Sequence, residues 1–142
     1  MSSFKIFDIA GSGMSAQSVR LNTVASNLAN AESVSGTAEG AYKARHPVFE
    51  AVKASMQAGN GGLDPGAAVK VLGIVEDNSE PQKRYQPGNP LADADGNVYA
   101  PNVNVVEEMV DMISASRAYQ NNVEVMNTSK ELLLATLRLG QG

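Results

Sequence analysis

The sequence predicts a mainly α-helical, elongated subunit whose N- and C-terminal helices pair as a coiled coil, with a small β-containing middle domain between them. Both ends of the chain carry apolar residues at alternating steps of three and four, which is the spacing of a coiled-coil seam. The segment between the ends is rich in Gly and Pro and contains one β-branched run. We therefore divide the chain into an N-terminal helix over residues 1–32, a middle domain over 33–101 and a C-terminal helix over 102–142.

The N-terminal helix is predicted by a row of apolar side chains that only Gln17 interrupts. The row ends near Ala31, where Glu, Ser and Gly residues break the pattern. At a rise of about 1.5 Å per residue, the stretch from Ser3 to Ala31 is a rod of roughly 43 Å, too long for the middle domain to cover. The members of the row that we expect in an assembly interface are Phe7, Met14, Leu21, Val24 and Leu28.

The C-terminal helix carries two rows of small or apolar residues, so it has more than one face to bury. A second row contains Ala115 and Ser129; if the two helices pack only on each other, this row is left facing water. Contacts between subunits would cover it. In the first row, the residues that we expect in the assembly interface are Met109, Met112, Tyr119, Val123, Met126, Leu133 and Leu137.

The bounds of the C-terminal helix are marked by residues that favour helix ends. Asn104 followed three residues later by Glu107 resembles a capping box. Glu107 and Glu108 both fall in the first turn, where carboxylates favour the helix dipole. Gly140 follows the last apolar position and is predicted to provide the C-cap.

The middle domain is predicted to hold short strands and ordered loops. Residues 69–75 form a β-branched run between turn signals and predict a strand. Residues 81–101 contain four prolines and the Asp95-Gly96 pair, which favour an ordered loop or a short hairpin with a tight turn. Residues 41–56, with Pro47 among them, are ambiguous, and the Gly-rich stretch 59–66 is predicted to be a flexible, turn-rich loop.

Composition removes most catalytic possibilities. The chain has no Cys, no Trp and a single histidine, His46, which excludes a thiol nucleophile, a cysteine-based zinc site and a disulfide framework. His46 has no obvious nucleophile to pair with, so we assign it a surface or packing role. We predict no catalytic, cofactor-binding or metal site, and no enzyme activity.

Three short motifs have a chemical and a structural interpretation. Gly11-Ser12-Gly13 lacks the preceding strand and third glycine of a phosphate loop, so we expect small residues that permit close helix contact. The run that begins at Asp93 has half the pattern of a calcium loop, and a solvated turn is the better interpretation. Glu107 and Glu108 point about 100° apart on a helix, which favours capping over a carboxylate pair.

The charge balance and hydropathy exclude several partners. Eleven basic residues stand against fifteen acidic ones, for a formal net charge of −4, so nucleic acid is not an expected partner. The sequence contains no apolar run of the roughly 20 residues that span a bilayer. Polar residues are scattered through the N-terminal helix, so we expect no direct membrane span and no cleaved signal peptide.

Three stretches, residues 25–33, 85–90 and 101–109, closely resemble the bacterial flagellar basal-body rod proteins, and the run 113–125 extends the similarity. Ser33 stands where Thr is common in relatives, so a hydroxyl is retained. Asn side chains of this signature can bond backbone groups where the first helix ends and where the chain returns to the second. The residues that match the signature are Ser26, Asn27, Asn30, Ala31, Ser33, Pro101, Asn102, Asn104 and Glu107.

The resemblance implies a structural subunit, not an enzyme, of the rod that passes through the periplasm. It implies export through the flagellar type III apparatus and polymerisation through the terminal helices, with the middle domain on the outside. The implied partners are other copies of the chain, other proximal and distal rod proteins, the inner membrane ring and the export apparatus. Distal rod proteins are typically longer, so the proximal rod is favoured. The alternative from another class is a soluble coiled-coil adaptor or export chaperone.

Overall fold

The computed structural model of the chain describes residues 3–53 and 66–140. The predicted loop over residues 59–66 lies, apart from Gly66, outside the described residues. The fold confirms the predicted class, two long helices in contact with small sheets between them. In chain order the elements are α1 (Ser3–Asn30), β1 (Arg45–Lys53), β2 (Ala67–Glu76), β3 (Gln82–Tyr85), β4 (Asn97–Ala100) and α2 (Val105–Leu139).

The two helices pack along each other in antiparallel orientation, because the end of α1 meets the start of α2. Asn27 contacts Glu108 at that end, and Gly13 faces Asn122 further along the pair. A Cβ atom on Gly13 would lie 2.9 Å from the Asn122 side-chain nitrogen, whereas one on Gly11 would have no neighbour within 4 Å. The small-residue interpretation of the Gly11-Ser12-Gly13 motif therefore holds at Gly13, which faces the Asn122 side chain of α2.

The fully buried residues of α2 are not members of the first apolar row. They are Glu108, Ala115 and Ser129, and successive members lie seven and fourteen positions apart. Ala115 and Ser129 belong to the row that we expected to face water, while Met109 of the first row is 52% exposed. Ala115 and Ser129 are small, Glu108 reaches the Asn27 amide, and Met112 and Met126 of the first row are half-buried, so both rows contribute to the side of α2 that meets α1.

Helix α1 lies between α2 and the β1–β2 sheet, and it buries residues on both sides. Val24 of the predicted row is buried, and so are Ala16 and Thr23 outside it. The Oε1 atom of Gln17, the one polar member of the row, is buried without a hydrogen-bond partner among the described residues. Across the helix pair, Arg20 forms an ion pair with Asp111 at 2.8 Å.

Strands β1 and β2 form a two-stranded antiparallel sheet that packs against α1. The predicted strand over residues 69–75 lies inside β2, and the ambiguous segment 41–56 contributes β1. A bulge between Val48 and Phe49 shifts the register. The backbone N–H of Val69 donates to the Ser12 hydroxyl at 3.1 Å, which joins this edge of the sheet to α1.

Strands β3 and β4 form the short hairpin that the proline-rich segment predicts. Its turn depends on Asp93, whose Oδ1 accepts the backbone N–H groups of Asn97 at 2.8 Å and Asp95 at 3.0 Å. Gly96 has φ +78°, a left-handed conformation that a glycine adopts without strain. Asp93 is thus a turn residue, and among the described residues no group of three or more His, Cys, Asp or Glu side chains is placed to hold a metal ion.

Candidate functional site

The signature residue Asn27 occupies a fully buried junction of α1, β1 and α2. Its Nδ2 donates to the Arg45 carbonyl oxygen and to Oε1 of Glu108, each at 2.9 Å. Its Oδ1 accepts the Arg45 backbone N–H and the Tyr42 hydroxyl, each at 3.0 Å. All four hydrogen-bonding positions of the amide are used, so this one side chain ties three segments that are far apart in sequence.

A chain of hydroxyl groups extends this junction along α1. The Tyr42 hydroxyl lies 3.1 Å from the Ser26 hydroxyl, and its single proton is directed to Asn27. Ser26 is therefore the donor to Tyr42. The Arg45 guanidinium lies 5.5 Å from the centre of the Tyr42 ring, within the range of a cation–π contact.

Glu108 does more than favour the dipole of α2, the role that its position in the first turn predicts. The residue is only 7% exposed, and its carboxylate accepts from Asn27 in the interior of the junction. Burial raises the pKa of Glu108 above its ordinary value, since the charged form loses water; the hydrogen bond from Asn27 opposes this in part.

A second signature residue, Asn102, joins the return of the chain to the segment before β1. Its Oδ1 accepts the Ala44 backbone N–H at 2.7 Å, and its Nδ2 donates to the Asp77 carbonyl oxygen at 3.1 Å. Pro101 beside it is buried. The Asn102 amide therefore holds the ends of three loops together, in the same way that Asn27 holds three regular elements.

The remaining signature residues lie at the end of α1 and at the start of α2. Asn104 is the N-cap of α2, and its side chain accepts the N–H groups of Val106 at 3.1 Å and Glu107 at 3.5 Å. Glu107 is exposed, and within the described residues its side chain makes no return bond, so the cap is one-sided. At the end of α1, Asn30 donates to the Ser26 carbonyl oxygen and Ser33 to the Asn30 carbonyl oxygen.

Ala31 belongs to a small apolar cluster just beyond this helix end. It packs with Ala44 and Val103, and Tyr42 covers the group. This apolar cluster therefore covers one side of the polar junction and excludes water from that side.

The predicted assembly residues are divided between the inside and the outside of the single chain. Val24 is buried, and Phe7, Met14, Leu21, Leu28, Met112, Met126 and Leu133 are half-buried in the described fold. The exposed members of the set are Met109, Tyr119, Val123 and Leu137. Contacts of these residues with a neighbouring subunit stay a prediction.

Three further apolar residues of α2 were not among the predicted assembly positions. Val106, Val110 and Ile113 are exposed and lie with Met109 on the side of α2 opposite its buried row. Their spacing of three and four residues is itself a helical stripe, so the signal is present in the sequence. The stripe was not predicted because the heptad row on the same helix is the stronger apolar pattern.

A shallow cleft of about 360 Å³ lies between α1 and the β1–β2 sheet. It holds no histidine, and its one charged residue, Arg45, forms an ion pair with Glu76 at 3.1 Å. The cleft is lined by Val19, Asn22, Thr23, Ser26, Arg45 and Ile74.

Comparison with protein families identifies both ends of the chain. Residues 7–36 match the family described as flagella basal body rod protein. Residues 94–139 match the family described as flagellar basal body rod FlgEFG protein C-terminal. These matches include α2 and most of α1, and with them Asn27, Asn102 and Glu108 of the two polar junctions. No helix among the described residues has the length and apolar character needed to cross a membrane.

Full-length relatives agree with this result. The chain is 52% identical over 141 residues to the flagellar basal-body rod protein FlgC of Salmonella typhimurium and 53% identical to that of Escherichia coli O6:H1. It is 35% identical over 152 residues to that of Bacillus subtilis strain 168. Each alignment covers 99% of this chain and 100% of the relative. The chain therefore belongs to the FlgC family of flagellar basal-body rod proteins, whose members are structural rod components and not enzymes.

Proposed function

We propose that this chain polymerises through its terminal helices into the proximal part of the periplasm-spanning rod. Its neighbours are other copies of itself and other proximal and distal rod proteins. At the base of the rod, its neighbours are the inner membrane ring and the export apparatus. It reaches the rod through that apparatus. Membership of the FlgC family supports the rod assignment, and the exposed apolar surface of α2 supports polymerisation.

The observation that carries the proposal is an apolar stripe on the outside of α2, formed by Val106, Met109, Val110 and Ile113. Each of these side chains is more than half exposed, on a helix whose opposite face is already occupied by α1. Large contiguous apolar patches are uncommon on monomeric soluble proteins and mark interaction sites. A neighbouring helix packed along this stripe would bury it, and the burial would stabilise the contact by about 25 cal/mol per Å² of apolar surface.

A second apolar surface lies at the far end of α2. The contacts of Asn27 with Glu108 and of Gly13 with Asn122 place Ser3, the first residue of α1, opposite Leu132. Helix α2 then continues for residues 133–139, a projection of about 10 Å. The exposed leucines of this region are Leu132, Leu134, Leu137 and Leu139. These leucines are exposed in the single chain, whereas a neighbouring subunit in a rod would cover them.

The proposal is tested by placing a charge on the stripe without disturbing the fold. Ile113→Asp puts a carboxylate on the exposed face, where water solvates it in the free chain but a subunit interface would bury it unpaired. Gln120→Asp is the matched control, because Gln120 is an exposed polar residue two turns further along the same face. Both variants, with the intact gene, are introduced into cells that lack this chain.

We expect normal circular dichroism for both purified variants, and motility with complete rods from Gln120→Asp only. For Ile113→Asp, electron microscopy of basal bodies should show inner rings without a rod. Complete rods from Ile113→Asp would refute the role of the stripe. If cells that lack the chain form normal basal bodies, the rod assignment itself fails and a soluble adaptor or export chaperone becomes the better interpretation.

A further inference from the structure

The first apolar row of α2 is only partly turned toward α1. Met112 and Met126 of this row are half-buried. The exposed members of the row beside α1 are Met109, Tyr119 and Val123. A rotation of α2 about its own axis toward the row would bury more apolar surface, and such burial favours folding. Another interaction therefore keeps α2 in the observed orientation.

Two carboxylates of α2 bind α1 on the side away from this row. Oε1 of Glu108 accepts from Nδ2 of the buried Asn27 at 2.9 Å. The Arg20 guanidinium donates to Oδ1 of Asp111 at 2.8 Å. A helix turns by about 100° per residue, so Met109 points about 100° to one side of Glu108 and Asp111 about 60° to the other side. Asp111 and Met109 therefore face nearly opposite directions.

We propose that these two polar contacts keep α2 rotated away from its first apolar row, so that Met109, Tyr119 and Val123 stay on the outside of the chain. The orientation of α2 is a property of a single chain, so this inference does not rest on the proposed function. A polar residue in a coiled-coil seam acts in a comparable way, since it specifies one arrangement of the helices at a cost in stability.

The contact with Asn27 is the stronger of the two. A rotation that buried Met109 would carry Glu108 away from Asn27 and leave a buried N–H group without a partner, which is costly. The Asn27 amide cannot follow Glu108, because its other three hydrogen bonds go to Arg45 and Tyr42. The loss of this one bond therefore opposes the gain from burying more of the row.

The contact between Arg20 and Asp111 is the weaker one. The two side chains are 29% and 46% exposed, and ion pairs that water reaches contribute little stability. Asp111 lies on the far side of Glu108 from the row, so a rotation toward the row would separate it from Arg20 as well. Both contacts therefore favour the same orientation of α2.

The other buried residues of α2 do not select an orientation by hydrogen bonding. Ala115 has no polar side-chain atom. The Ser129 hydroxyl donates to the Val125 carbonyl oxygen of its own helix at 2.7 Å. The direction of the rotation is therefore set by Glu108 and Asp111.

The orientation is measured by the reactivity of single cysteines in the full chain, which has no cysteine of its own. Met109→Cys places a thiol on the exposed part of the row, and Ala118→Cys places one at a half-buried position. These positions are about two and a half turns apart, so the two thiols point in opposite directions. Labelling by a maleimide follows the access of the thiol. Each rate is divided by the rate of the same variant unfolded in urea.

Each cysteine is combined with two double variants that remove the same two charges. Glu108→Ala with Asp111→Ala, the alanine pair, removes both acceptors. Glu108→Gln with Asp111→Asn, the amide pair, is the matched control, because an amide oxygen remains to accept from Asn27 and from Arg20. Circular dichroism checks that each variant is folded.

We expect the alanine pair to slow labelling of Met109→Cys several-fold and to speed labelling of Ala118→Cys several-fold. The amide pair should leave both rates close to those of the natural background. Opposite changes at the two cysteines indicate rotation, because partial unfolding would raise both rates.

Unchanged rates in the folded alanine pair, or opposite changes of the same size in the amide pair, overturn the proposal. If the alanine pair loses its helical circular dichroism, Asp111→Ala alone replaces it, since this change removes only the partly exposed contact. It should give opposite changes of smaller size, and unchanged rates in this variant also overturn the proposal.

Discussion

Replacing Asn27 with Ala is expected to destabilise the fold more than any other single Asn→Ala change on α1. The residue is fully buried, and its amide makes two bonds as donor and two as acceptor. After truncation, Tyr42 keeps the Ser26 hydroxyl as a partner. The Arg45 N–H and carbonyl oxygen and the Glu108 carboxylate lose theirs.

The size of the effect follows from these three groups. A buried polar group left without a partner costs about 1 to 3 kcal/mol, and a charged one more. Three such groups give a loss of about 3 to 9 kcal/mol, from which the better helix propensity of Ala recovers up to ~0.7 kcal/mol. Typical domains have a free energy of unfolding of only about 5 to 15 kcal/mol. The variant is therefore expected to lose a large part of its stability.

The assay is urea unfolding of the full chain, followed by circular dichroism at the helical band. Asn22→Ala is the matched control, because Asn22 lies on the same helix but is exposed. Its change should stay within about 0.5 kcal/mol, and the gain in helix propensity is common to both variants. If the free energies of unfolding of the two variants agree within about 1 kcal/mol, Asn27 does not hold the junction and the reasoning is refuted.

Two further predictions concern the helix crossing and the β3–β4 turn. Gly11→Ala should raise the free energy of unfolding by about 0.5 to 1 kcal/mol, because Ala is the better helix former and its Cβ would have no neighbour within 4 Å. Gly13→Ala should raise it less, since its Cβ would lie 2.9 Å from a side chain of α2. Equal gains of the two variants in urea unfolding would contradict a close contact of α2 with Gly13. The backbone N–H of Asn97 is the main cause that holds the pKa of Asp93 below its ordinary value of 3.8. The stability that this bond contributes is therefore present above about pH 3.8 and lost as pH falls through the lower folded-state pKa. Asp93→Ala should thus destabilise the chain at pH 7 and have little effect near pH 2, and Asp95→Ala serves as the control. A loss of unfolding free energy in Asp93→Ala that does not change with pH would argue against the hydrogen bond between Asp93 and the Asn97 N–H.

Both helices and the strand at 69–75 were predictable because their signals are local, whereas the segment that forms β1 was ambiguous. The cap at Asn104 binds N–H groups two and three residues away, and the turn at Gly96 depends on a backbone conformation that favours glycine. The β-branched run at 69–75 lies inside β2. Each of these features depends on residues that are close together in the sequence, so a local sequence pattern predicts it.

The junction residues were only partly predictable. The resemblance selected Asn27 and Asn102, and the sequence suggested that Asn side chains bond backbone groups near helix ends. The partners of Asn27 are 15 to 81 residues away, and no local pattern specifies them. Glu108 illustrates the difference, because its sequence position predicts a favourable dipole contact, whereas its buried place depends on where α1 ends.

From the sequence alone came the two long helices, the strand at 69–75, the absence of cysteine chemistry and the family resemblance, all of which depend on periodicity, composition or short motifs. Only the tertiary structure decided which residues of α2 are buried, because that choice depends on which of them meet α1 and its Asn27 side chain. It also decided that the stripe of Val106, Met109, Val110 and Ile113 is left outside. Hydrophobicity sets which residues favour burial, but a helix with two apolar faces can offer only one to its partner, and the partner's surface makes the selection.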